Sequence, residues 1–203
     1  VEDSCDVGLC GSDWVEEQEE RLGINLEILS EYSYGRRFNT SPRLDLVASR
    51  DAPFNTIGDL KNGLIILTEH PSITRKFLEE NNYEAVELGK NHGTPLLPHE
   101  FREWCEREGK IGIRIVHGRI PALVNIGAGL GTLVSESGQT LEESGLKVVS
   151  GIREIKTLLI ADRGALARGD KREEIRQLQR ELDVAYWQIN GEFEGGFPST
   201  ERM

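Results

Sequence analysis

The order of apolar and polar positions divides the chain into short strands and helices. "INLEILSEY" at 24–32 and "RLDLVAS" at 43–49 alternate apolar with polar residues, which predicts two half-buried strands with "GRRFNTSP" as the turn or loop between them. Ahead of them, "CDVGLCG" reads as a strand. "SDWVEEQEERLG" follows as a short, mostly solvated helix, with Ser12 or Asp13 as N-cap, acidic residues in its first turns and Gly23 just past its end. From residue 56 strand and helix alternate: "TIGDLKNG", "LIILTE", a helix over "PSITRKFLEEN" starting at Pro71, then "YEAVEL". "LPHEFREWCEREG" continues as a helix with Phe101, Trp104 and Cys105 on one face, and "IGIRIV" as a strand. This alternation predicts a largely parallel sheet with helices on its faces. "LKVVSGIREIKTLLIAD" supplies strands that run back across a domain boundary near Gly151. In "DKREEIRQLQREL", Asp170 and Glu173 form a capping box, and Ile175, Leu178 and Leu182 share a helix face. The tail "NGEFEGGFPSTERM" is rich in Gly, Pro and charge and is expected to be disordered.

Composition narrows the function classes. A net charge of −11 over 203 residues excludes a general nucleic-acid binder, since no basic surface is concentrated enough to neutralise a run of phosphates. The longest apolar runs, "LIILT" and "TLLIA", are strand-sized, so no membrane segment is expected. Three cysteines, Cys5, Cys10 and Cys105, and no signal-peptide pattern fit a reducing cytoplasm. The four histidines, His70, His92, His99 and His117, lack ligand spacing, so no metal-ligating residues are assigned. The chain enters its first strand within a few residues of Val1, as though begun in mid-domain.

One stretch allows two chemistries. In "VSESGQTLEESGL" at 134–146, Ser137 and Thr140 can cap the first N–H groups of a helix while Gly138 lets the chain turn tightly. The same N–H groups can instead hold a phosphate. "GAGLG" at 127–131 is a weak dinucleotide pattern, because it follows no clean strand and opens no helix. Arg36 and Arg37, beside Gly35, form either an exposed arginine pair or a phosphate clamp.

In chain order, "VEDSCDVGLCGSDWVEE", "SYGRRFNTSPRLDLVAS", "LIILTEHPSITRKFLEEN" and "VSESGQTLEESGL" resemble segments of the catalytic subunit of ATP phosphoribosyltransferase, the first enzyme of histidine biosynthesis. His70 stands where that family usually has tyrosine, and 134–146 falls on its Thr-Gly-x-Thr-Leu phosphate loop. The resemblance covers most of residues 1–168. It implies an α/β fold of two lobes around a central cleft, similar to the type II periplasmic binding proteins. Residues 1–50 with 153–203 would form the first lobe, incomplete at its N-terminus, and 54–150 the second. The implied reaction transfers phosphoribose from phosphoribosyl pyrophosphate to N1 of ATP with Mg²⁺ as cofactor. Glu136, Ser137, Gly138, Gln139, Thr140 and Leu141 would hold the phosphate, and Gly11, Asp13 and Arg36 would face the nucleotide. No catalytic side chain is assigned. The chain resembles the short form of the family, which works as an oligomer with a subunit related to histidyl-tRNA synthetase. Two departures stand out: Gly129 and Leu133 occupy positions nearest to family acidic residues, and a family glutamate near "HGRIP" has no counterpart. Residues 89–111 read as an insertion. The rival reading is a non-catalytic protein of the same fold that binds phosphate ligands or regulates.

Overall fold

The computed structural model describes residues 5–24, 26–33, 41–89, 97–136 and 139–190. Arg36, Arg37, Ser137, Gly138 and all of the tail expected to be disordered except Asn190 lie outside these residues.

The chain divides into two compact units, one of residues 1–10, 25–32 and 157–203, the other of residues 11–24 and 33–156. In the first unit, β1 (Val7–Gly11) and β2 (Leu26–Tyr32) flank β9 (Thr157–Asp162) in a three-stranded sheet. β2 runs antiparallel to β9, from Leu26 opposite Asp162 to Tyr32 opposite Thr157. Helix α6 (Arg163–Ala167) is N-capped by Asp162, whose Oδ1 accepts from Ala165 N at 2.8 Å. The long helix α7 (Gly169–Asn190) follows. It starts at Gly169, which puts Asp170 inside the first turn instead of at the expected N-cap. Ile175 packs with Ala161 and Ala165, the Tyr32 hydroxyl donates to Asp183 at 2.7 Å, and Gln179 donates to the Leu29 carbonyl at 2.7 Å. Lys171 and Arg168 both pair with Asp6, and the Lys171 hydrogen bond holds the Asp6 carboxyl below its ordinary value.

The second unit is built on a six-stranded sheet in the order β5 (Ala85–Glu87), β6 (Ile111–Ile115), β4 (Ile65–Thr68), β7 (Leu130–Ser135), β3 (Arg43–Ser49) and β8 (Leu146–Glu154). β5, β6, β4 and β7 are parallel, whereas β3 runs antiparallel to both β7 and β8. β3 is buried on both faces, with Leu44 through Ala48 inaccessible, not half-buried as its alternation suggested. Its even residues Leu46 and Ala48 join Ile66, Ile111, Ile113 and Leu130 against Leu78 of α2 (Pro71–Glu80). Val47 faces the other way, toward Ile120 of α4 (Ile120–Leu123), Val124 and Leu141 of α5 (Gln139–Glu143). Burial of each such side chain contributes about 1.5–3 kcal/mol, which accounts for the charge-free apolar run along β4. α3 (Pro98–Arg107), from the stretch read as an insertion, packs Phe101 and Cys105 beside Val86. Phe101 comes so close to β6 that a Cβ at Gly112 would lie 2.6 Å from its ring.

Helix α1 (Ser12–Leu22) groups with this unit, alongside α2. The expected grouping of 1–50 with 153–203 is therefore corrected in the structure. Strand β3 completes its ladder only between β7 and β8, so it carries residues 43–49 into the larger sheet. α1 is also not the solvated helix its charge suggested, since Asp13, Val15 and Glu17 are buried.

Candidate functional site

In an open α/β sheet, ligands bind where parallel strands end and helices begin, because the strand-to-helix turns gather backbone donors there. Here β4, β6 and β7 end at one edge of the second unit's sheet, and antiparallel β3 begins at that edge with Arg43 and Asp45. A hollow of about 150 Å³ opens there, lined among others by Leu44, Glu69, His70, Gly118, Arg119 and Thr132.

The turn from β4 into α2 is held by a buried polar network. Thr68 Oγ1 lies 2.6 Å from Thr132 Oγ1 and 2.9 Å from Thr74 Oγ1, and it accepts from His70 N at 2.9 Å. Thr74 Oγ1 donates to the His70 carbonyl at 2.7 Å. Pro71 opens α2, and the acceptor for its first free N–H groups comes from another helix. Glu17 of α1, 1% exposed, accepts from Ser72 N at 2.8 Å and from Ile73 N at 3.1 Å. Arg21 lies 3.8 Å from Glu17 and 3.6 Å from Glu87, which Arg75 also reaches at 3.1 Å.

Asp13, expected to face a nucleotide, is 3% exposed, with Oδ2 2.9 Å from His70 Nε2. The two groups touch without hydrogen-bond alignment, and the His70 ring packs against Trp14 with centroids 4.6 Å apart. Gly11, not Ser12 or Asp13, is the N-cap of α1, and it makes no side-chain cap. Ser12 Oγ instead accepts from Lys156 N at 3.1 Å.

At the turn after β6, Gly118 and Arg119 both take positive φ, 65° and 60°. This left-handed pair, costly for the arginine, turns Gly118 N toward Glu69 Oε1, 2.5 Å away. Glu69 thus brings a carboxylate to "HGRIP", where the resemblance leaves one missing.

After β7 the stretch 136–141 leaves the same edge. Glu136 is half-buried, Gln139 and Thr140 open the five-residue α5, and the Leu141 side chain is anchored in the core. Beside the exit, Ser135 Oγ donates to Asp45 Oδ2 on β3. The structure thus sets Asp13 and His70 together and brings Glu69 and the ends of 136–141 to one sheet edge. Glu17, Glu69, Asp45 and the Thr68 network escaped the sequence reading. Apart from His70 and Thr74 within the Thr68 network, their hydrogen-bond partners lie tens of residues away.

The chain is similar to known proteins in sequence and in fold. The ATP phosphoribosyltransferase of Methanocaldococcus jannaschii is 27% identical over 173 residues, 85% of this chain and 49% of that protein. The chain spans about half the length of the curated relatives it matches. In fold it is similar to the ATP phosphoribosyl transferase (HisG:HisZ) complex from Thermotoga maritima, with TM-score 0.61 at 18% identity over 91% of this chain and 71% of that one. It is also similar to the substrate-binding protein of an amino acid ABC transporter, with TM-score 0.51 at 12% identity over 94% and 71%. These likenesses establish an α/β fold of the periplasmic-binding-protein type. The model of the family described as HisG, ATP phosphoribosyltransferase, matches residues 1–184, and the chain belongs to that family.

Proposed function

We propose that the chain binds phosphoribosyl pyrophosphate and ATP and joins C1 of the ribose to N1 of the adenine, releasing pyrophosphate with inversion at the anomeric carbon, as the first step of histidine biosynthesis in the cytoplasm. The observation that carries this reading is the convergence of the β4, β6 and β7 turns at one sheet edge, with 136–141 leaving from it.

On this reading the backbone N–H groups and hydroxyls of Glu136, Ser137, Gly138, Gln139, Thr140 and Leu141 hold the 5′-phosphate, while Gly11, Asp13 and Arg36 serve the nucleotide. The chemistry asks little of side chains. The ribose turns cation-like as pyrophosphate departs, so alignment of the two substrates and fixed donors at the leaving oxygens supply most of the rate. The donor set fits Mg²⁺ that arrives on substrate oxygens. Among the described residues no three His, Cys, Asp or Glu side chains gather as a cage, and a magnesium bridged to phosphates needs only one or two carboxylates. Glu69, in the hollow, would share that ion. Bound there, Mg²⁺ supplies charge neutralisation of the departing pyrophosphate. Assembly with a subunit related to histidyl-tRNA synthetase draws support from the Thermotoga complex, which pairs HisG with HisZ.

Calorimetric titration of the 203-residue chain with phosphoribosyl pyrophosphate and Mg²⁺ tests the reading. Binding by the unmodified chain and its loss in a stably folded Gly138→Val variant are expected, since a branched side chain blocks close approach of the phosphate. Equal affinity in the two proteins would refute it.

A further inference from the structure

We infer that Arg119 grips the diphosphate of phosphoribosyl pyrophosphate and holds it in the hollow at the ends of β4 and β6. The inference rests on the substrate proposed above.

Among the described residues, Asn82 and Arg119 alone take a positive φ without being glycine. Asparagine tolerates that region because its short polar side chain bonds locally, whereas an arginine Cβ crowds the following carbonyl. Arg119 sits at φ 60° and ψ 8°, and both flanks hold it there. Before it, Gly118 N donates to Glu69 Oε1. After it, Ile120 is 2% exposed in the cluster of Val47 and Leu67, and Leu123 N donates to the Arg119 carbonyl at 3.0 Å. Glycine would supply this turn without strain, so the backbone does not explain the arginine and its side chain must.

That side chain has no protein partner. In the same unit Arg21, Arg43, Arg75 and Arg153 each pair with a carboxylate. Arg119 is exposed and pairs with none among the described residues, although Glu69 lines the same hollow. In a chain with 35 acidic residues against 24 basic ones, a free guanidinium does not arise for want of carboxylates.

The hollow also limits what the guanidinium can meet. At about 150 Å³ it is smaller than the roughly 300–1,000 Å³ of a site for a whole drug-sized ligand, so it takes one group of a larger substrate. Buried Leu44 and Ile120 in its wall lower the local dielectric, which strengthens a charge-assisted bond made there. A diphosphate offers the planar fork of an arginine two oxygens at once, and Mg²⁺ carried on its other oxygens would meet Glu69. The two opposite charges of the hollow then serve one group, the one that leaves in the proposed reaction.

The test is calorimetric titration with phosphoribosyl pyrophosphate and Mg²⁺, beside urea unfolding of the same proteins, for Arg119→Gly, Arg119→Asn and Arg119→Lys. Glycine and asparagine accept the left-handed backbone, so both should leave the unfolding midpoint unchanged or raised. Each should weaken binding roughly ten- to a hundredfold, the worth of a hydrogen bond to a charged group. Arg119→Lys should recover part of the affinity, because it returns the charge without the fork. Inorganic pyrophosphate with Mg²⁺ should compete for the unmodified chain and lose potency in the same proportion in the glycine variant. Unchanged affinity in the glycine and asparagine variants would overturn the inference and leave the proposed function standing. A loss of affinity that only follows a fall in the unfolding midpoint would overturn it as well. So would pyrophosphate competition that is absent or that the variants leave unchanged, since Arg119 would then serve another part of the substrate. Should one of the two variants fail to fold, the other decides. An unmodified chain that binds no phosphoribosyl pyrophosphate would overturn the proposed function, and this inference with it.

Discussion

Replacing Glu17 by alanine should be among the costliest single changes in the protein. Its carboxylate leaves α1 to accept from Ser72 N at 2.8 and 3.1 Å and from Ile73 N at 3.1 Å, in a place where both residues are buried. Pro71 precedes them, and His70 at the N-cap offers no side-chain bond of its own, so α2 has no local substitute. Deleting the carboxylate strands two N–H groups at about 1–3 kcal/mol each. It also removes a negative charge from the positive end of the helix dipole, worth roughly 0.3–2 kcal/mol. Arg21 loses one of its two carboxylate partners but keeps Glu87, which limits the further loss. The terms overlap, and about 3–4 kcal/mol is expected for Glu17→Ala, near 10 °C in melting temperature for a chain of this size. Glu17→Gln keeps one oxygen as acceptor and should lose about half as much. Urea unfolding followed by Trp fluorescence gives both values. A loss under about 1 kcal/mol for the alanine variant would refute the view that α1 supplies the cap of α2.

Packing and titration give three further outcomes. Gly112→Ala places a methyl against Ile65 Cδ1, 2.6 Å from Phe101 and 3.2 Å from Cys105 Sγ, and should lower stability by about 1–3 kcal/mol in the same urea assay, while an unchanged midpoint would mean that α3 does not seat on β6 as described. Burial pushes the Cys105 thiol up to about 11, against the smaller opposing pull of Lys110. A thiol reagent at pH 8 should therefore modify exposed Cys5 rapidly and Cys105 only on unfolding. Because the folded thiol holds its proton above the ordinary value of 9.0, its contribution to stability should be full below that pH and fall away as pH rises toward 11.

What the sequence disclosed was local. Pro71 at the start of α2 and the left-handed Gly23 after α1 depend on neighbours a few positions away, and each stands where the local pattern placed it; β2 forms where expected, but a bulge between Ile28 and Ser30 breaks its alternation and leaves Ile28 exposed. α1 was misread because an acidic surface helix and an acidic helix that caps another have the same pattern. Nothing near Glu17 announces that its partner is the backbone of Ser72. β3 misled for a related reason. The alternation of "RLDLVAS" promises a wet face, yet Ile120, Val124 and Leu141 pack on the Val47 side, and Asp45 is buried as well. Asp13, expected to face a nucleotide, is instead buried beside His70, a pairing that depends on how distant segments pack and that no spacing rule reaches.

The three-stranded sheet of the smaller unit also bears on how the chain comes to be folded. Tyr32 pairs with Thr157, so β2 stays without its central neighbour until well over a hundred further residues have been made. At synthesis rates of about 5–20 residues per second that wait is on the order of ten seconds, whereas every strand of the larger sheet lies between residues 43 and 154. The larger unit is thus complete first on the ribosome. Until β9 emerges, β1 and β2 are the exposed edges a chaperone would have to shield.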